Sequence, residues 1–253
     1  MTRWNLRRAA GVAKEPERGR WLQLVDALVD GYDPRTGLYE EFAGFFALEP
    51  LIIAEVAPRR PIVADMLLGA ERVAGAQVVK QADVLMLHHL VPGEVAPGSL
   101  QPNLAYYEPR TAHGSSLSPA IHAALFPRAG RPEDGLAHLQ LAARLDLDDL
   151  TDTTAGGVHL GTMGGVWQAL VMGFAGVRPD GDALAVDPRL PEAWNGLDVC
   201  LRFQGVPLRL RAEHEFVAVD AGAPVGIRVG DAPPATGQRL RWARKNDSWE
   251  VRP

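Results

Sequence analysis

"TMGGVWQALVMGFAGVRPDGDALAVDPRLPEAWNGLDVCLRF" (Thr162–Phe203) changes its hydrophobic period partway along, and that change decides the fold class. Over "TMGGVWQALVMGF" the apolar residues recur every three or four positions, as on one stripe of a helix. After "GVRPDGD" they alternate, so that Leu197, Val199, Leu201 and Phe203 share one face of an extended strand. "VPLRLRA" alternates Val206, Leu208 and Leu210 in the same way, and "EFVAVD" and "VGIRVG" follow with Gly, Pro and Asp between them. The chain from about Ala183 to its end therefore reads as a small antiparallel sheet or sandwich. The boundary falls at Arg178 to Asp182, where helical spacing stops and turn residues cluster.

Upstream, "WLQLVDALVDGY", "PIVADMLLGAERVAGAQ", "KQADVLMLHHLV", "SPAIHAALF" and "PEDGLAHLQLAARLDL" carry helical spacing between short Gly/Pro breaks. That predicts six to eight helices packed antiparallel, and a chain that is mainly α with a small all-β part. With 253 residues, 47% of them hydrophobic and 23% charged, the composition is that of a globular protein able to bury a sizeable core. A net charge of -5 with mixed signs offers no basic stripe, so nucleic acid is not expected as a partner. No apolar run reaches membrane-spanning length, and the N-terminus has no signal-peptide pattern. One cysteine, Cys200, excludes an intrachain disulfide framework and points to a cytoplasmic location, with a buried, inert thiol as the expected role.

Three polar stretches interrupt this pattern. In "TAHGSSLSPAIHAALF" (Thr111–Phe126), Ser118 and Pro119 read as the cap and first residue of a helix, which leaves Ser115 and Ser116 ahead of a helix N-terminus. Free amides and the positive dipole end there would suit an anion, while a solvated Ser turn is the plainer reading of equal weight. "TTAGGVHLGTMGGVW" surrounds His159 with glycines and reads Thr162 as the next cap; a structural histidine is as good an explanation as a binding one. "VVKQAD" puts Lys80 and Gln81 at a helix start, where a cation opposes the dipole and so either reaches water or faces a ligand. No metal site is expected: His88 and His89 are adjacent and point about 100° apart on a helix. His122 and His138 read as core-edge or surface residues. The acidic "YEEF" and "LDLDD" read as a helix end and a solvated loop.

Together, "VVKQADVLML", "NLAYYEPRTAHGSSLSPAIHAALF", "DTTAGGVHLGTMGGVWQALVMGFAGVR" and "RLPEAW" resemble the family 65 glycoside hydrolases and phosphorylases, which include maltose, trehalose and kojibiose phosphorylases. The resemblance implies that residues 1–180 are the C-terminal part of an (α/α)6 barrel catalytic domain and that 181–253 are a small C-terminal β-sandwich. It implies that Lys80 and Gln81 contact sugar, and that Ser115, Ser116 and His159 bind inorganic phosphate as co-substrate. A disaccharide α-glucoside is the implied substrate, no cofactor is implied, and a homodimer is implied for a full-length member.

The implied reaction is inverting phosphorolysis, with one carboxylic acid protonating the leaving oxygen. The family's acid is a Glu in a "PDE" stretch, which does not occur in the 253 residues. The resemblance therefore implies an acid upstream of this chain, which matches only about the last third of a member and is expected to be inactive alone. Two alternatives stand beside this. One is a family 65 hydrolase fragment with Glu108, in "YYEP", as base or sugar ligand. The other is a non-catalytic sugar- or phosphate-binding remnant, or one subunit of a split enzyme.

Overall fold

A computed structural model describes residues 1–246 and 248–252. The chain divides into two compact units, Met1–Ser118 and Pro119–Pro253. The first unit opens with helices α1 (Thr2–Ala10) and α2 (Glu17–Ala27), which pack on each other. A two-stranded hairpin, β1 (Tyr32–Asp33) and β2 (Leu38–Tyr39), follows with Tyr32 opposite Tyr39. Short helices α3 (Ile53–Val56), α4 (Ala64–Leu68) and α5 (Ala70–Ala74) lead to α6 (Asp83–Leu90) and α7 (Leu100–Tyr107). Spacing alone predicts one helix over 61–77. The structure splits it at Gly69, whose φ of 82° and ψ of 145° lie outside any helix. The hairpin is absent from the sequence reading, because two-residue strands are too short to show a period.

The second unit holds most of α8 (Ser118–Arg128), then α9 (Pro132–Arg144) and α10 (Leu160–Gln168), which continues into a wider turn over Ala169–Phe174. The ten helices among the described residues include seven of eight residues or more, within the expected six to eight. Seven strands follow: β3 (Arg178–Asp180), β4 (Ala183–Val186), β5 (Leu197–Phe203), β6 (Val206–Ala212), β7 (Phe216–Val229), β8 (Ala235–Lys245) and β9 (Ser248–Arg252). They form one sheet in which β7 is central. β8 pairs with β7 on both sides of a register shift between Asp220 and Val225. β6 pairs with the first half of β7, and β4 with Gly226–Val229.

The pairing is antiparallel throughout except for β4 with β7, which is parallel, a departure from the purely antiparallel expectation. Val199, Leu208, Leu210, Ile227, Val229 and Trp242 share one core, each burial contributing roughly 1.5–3 kcal/mol for a Val, Leu or Ile. Alternation of inward and outward positions along β5 and β6 is as the period required. The same alternation turns Cys200 outward, so the thiol is exposed and not buried as expected. Among the described residues no helix is long and apolar enough to cross a membrane.

Candidate functional site

In the first unit, the "KQ" and "GSS" segments are neighbours. Val79 N–H donates to the Arg110 carbonyl at 2.9 Å, and Ala112 N–H to the Val79 carbonyl at 3.0 Å. Ile62 N–H donates to the Ala112 carbonyl at 3.1 Å, so three extended stretches meet here. Lys80 and Gln81 form an exposed bend between buried Val79 and Ala82, two residues ahead of α6 rather than inside it. The two buried neighbours anchor the bend and leave the ammonium and amide in solvent. Lys80 and Gly114 line one small hollow with Ile62 and Ala112.

The loop that carries the serines is braced from within. A Cβ on Gly114 would lie 2.2 Å from the Ile62 carbonyl oxygen, so only glycine fits. His113 is buried with φ 56°, and its Nδ1 is 3.0 Å from Ser118 Oγ. Ser118, expected to cap α8 ahead of Pro119, is instead the first residue of the helix, which thus starts one residue earlier, and its hydroxyl donates to the Ser115 carbonyl at 3.3 Å. Leu117 N–H donates to Ser115 Oγ at 3.4 Å, which is the Ser turn of the plainer reading. Ser115 and Ser116 are both partly exposed.

Glu108 lies in the turn Glu108–Arg110 and is held by Arg60, which sequence reading missed. Arg60 Nη2 donates to Glu108 Oε1 at 2.7 Å, and Nη1 donates to the carbonyls of Glu108 at 3.0 Å and Thr111 at 3.1 Å. One planar guanidinium thus fixes both ends of the turn that leads into the serine loop.

In the second unit, His159 occupies the residue flanking the start of α10. Thr162, expected as the cap, is instead buried within the helix, two residues after its start, with its N–H on the His159 carbonyl. The His159 ring is tied down by Asp146, which sequence reading placed in a solvated loop. His159 N–H donates to Asp146 Oδ2 at 2.8 Å, and Nδ1 lies 2.6 Å from Oδ1. The ring bond first, and then the amide bond, hold the Asp146 carboxyl below the usual carboxylate range. Nε2 is 3.4 Å from Thr153 Oγ1, which is 2.7 Å from Thr151 Oγ1.

Asp149 braces the same loop by accepting the N–H groups of Thr153 and Thr154 at 3.0 and 2.9 Å. His122 is fully buried rather than at a core edge, with its ring stacked on His138 at 5.3 Å. Gly165 is a packing residue: a Cβ there would lie 2.6 Å from Ala120 Cβ.

A helical part is followed by a small β part, with braced polar loops ahead of two helices. The family model for the glycosyl hydrolase family 65 central catalytic domain matches residues 3–168, and that for the family 65 C-terminal domain matches 177–233. The chain belongs to glycosyl hydrolase family 65. It is similar to kojibiose phosphorylase of Halothermothrix orenii, 32% identical over 207 residues that make up 81% of this chain and 26% of the relative. It is also similar to alpha,alpha-trehalose phosphorylase of Thermoanaerobacter brockii, 39% identical over 157 residues, 61% of this chain and 20% of the relative. The solved structure titled "Putative kojibiose phosphorylase from human microbiome" superposes with TM-score 0.81 at 27% identity, over 91% of this chain and 31% of that one. The chain thus spans about a quarter of the length of the curated relatives it matches.

Proposed function

We propose that the chain is the C-terminal part of an inverting α-glucoside phosphorylase and carries the phosphate- and sugar-binding side of its site. In this reading residues 1–180 belong to an (α/α)6 barrel catalytic domain and 181–253 to its C-terminal β-sandwich. Ser115, Ser116 and His159 are phosphate ligands, and Lys80 and Gln81 meet the sugar. Phosphate oxygen forms a bond to the anomeric carbon from the face opposite the leaving sugar, the glycosidic C–O bond breaks, and a carboxylic acid protonates the departing oxygen. That acid is assigned to the portion of the relatives that this chain does not span.

The observation that carries the reading is that the two relatives reported above for this region are named kojibiose phosphorylase and alpha,alpha-trehalose phosphorylase. It is supported by His159 at the start of a nine-residue helix, where a dipole end and a fixed ring nitrogen suit an anion. The hydrolytic alternative makes Glu108 a base. In either that role or a sugar-ligand role, Oε1 of Glu108 is held by Arg60 and Oε2 is the oxygen that would act.

Fusing this chain to the preceding portion of a relative and supplying disaccharide tests the proposal. Glucose 1-phosphate formed only when phosphate is present supports it, with a raised phosphate KM in Ser115→Ala and Ser116→Ala. Free glucose released without phosphate overturns it. The isolated chain is expected to show no turnover.

A further inference from the structure

We propose that Asp146 is the positioning residue of His159, fixing the ring proton on Nδ1 so that Nε2 is the nitrogen presented to phosphate. The inference rests on the phosphate-binding reading of His159 given above. Asp146 belongs to the acidic "LDLDD" run, but it differs from its neighbours in what it touches. Asp148 pairs with the exposed Arg144, its own side chain 35% exposed, and Asp149 accepts two backbone N–H groups of its own loop. Asp146 spends both oxygens on one residue, and its side chain is only 8% exposed. A solvated charge would have neither the burial nor the two-point contact.

The chemistry of the pair sets the tautomer. An ionised carboxylate only accepts hydrogen bonds, so at 2.6 Å the proton between the two atoms belongs to Nδ1. The second bond, from His159 N–H to Oδ2, fixes the ring's position at the helix start as well as its rotation. With Nδ1 committed, Nε2 faces the Thr153 hydroxyl, which is itself bonded to that of Thr151. In the neutral ring Nε2 accepts, and Thr153 Oγ1 can donate to it. In the imidazolium Nε2 donates, which is what a phosphate oxygen requires, and the Asp146 charge on the other side of the ring offsets the ring's positive charge. Asp146 therefore acts through His159 and does not touch the phosphate.

The test is imidazole 15N NMR on the whole chain with labelled histidine, with the His159 signal identified by its loss in His159→Ala. In its neutral form the His159 ring is expected as the Nδ1–H tautomer. Asp146→Ala is expected to shift the signals to those of the Nε2–H tautomer, and Asp146→Asn to do the same, because its single acceptor oxygen is taken by the His159 N–H and its amide NH2 then donates to Nδ1. An Nε2–H tautomer in the unaltered chain, or an Nδ1–H tautomer unchanged in Asp146→Ala, overturns the proposal. If Asp146→Ala does not fold, the unaltered chain and Asp146→Asn still decide the point. Adding inorganic phosphate separates the underlying reading: it is expected to move the Nε2 resonance. Silence there, with the tautomer as expected, fells the phosphate assignment of His159 while leaving Asp146's hold on the ring supported.

Discussion

Glu108 and Asp146 look alike in the sequence, each a carboxylate near a polar loop, and their partners separate them. Arg60 is 48 residues from Glu108 and carries no motif, so the clamp on the 108–111 turn was not legible in the sequence. Arg60→Ala leaves Glu108 and two carbonyls without their shared donor, at a cost of about 1–3 kcal/mol of stability, measurable as a lower urea midpoint. The Cys200 expectation failed for a plainer reason: the period that faces Val199 and Leu201 inward faces their neighbour outward.

Glu41, in "YEEF", holds the opposite kind of carboxyl. Its Oε2 is buried without a hydrogen-bond partner, and burial first, then the nearby Asp83 charge, push its pKa up from 4.5 to about 7. Because the folded value is raised, its contribution to stability is fully present below about pH 4.5 and is lost as pH rises through about 7, by at most ~3 kcal/mol. Glu41→Gln is expected to flatten that part of the stability–pH curve, as read from urea midpoints across the range.

At the scale of elements, helix existence followed from spacing, while helix ends did not. α10 starts two residues before Thr162 because the Asp146 contact stops the chain at His159, an interaction between residues 13 apart that no local signal announces. The glycines of that region also divide by neighbour rather than by motif. A Cβ on Gly173 would lie 2.7 Å from Ala124 Cα and 2.8 Å from its carbonyl oxygen, so the turn after α10 lies against the backbone of α8. Gly164, one turn into α10, has nothing within 4 Å. Gly173→Ala is expected to cost about 1–3 kcal/mol by overpacking, whereas Gly164→Ala is expected to be neutral or to stabilise by up to ~1 kcal/mol through helix propensity. Thermal unfolding of the pair checks both, and equal destabilisation by the two would contradict this account.

For the whole molecule, the sequence showed a helical part and a sheet part but not which apolar side chains would be left bare. Met66 and Leu67, adjacent on α4, are 85% and 53% exposed, and Val63 at the start of that helix is 44% exposed, so neighbouring apolar side chains of one element are left bare. The chain made alone is therefore expected to self-associate, with a mass above 27.3 kDa by light scattering that grows with concentration; a strict monomer would refute this. The sheet carries a related liability. The matched C-terminal domain ends at residue 233, ahead of β8 and β9, yet these two strands supply Leu240, Trp242 and Trp249 to the core and cover the 14-residue β7 along one side. Cut after residue 233, the chain would present β7 as a long, apolar, unpaired edge, the template on which identical chains add to one another. The last hairpin is thus this sheet's guard against cross-β growth.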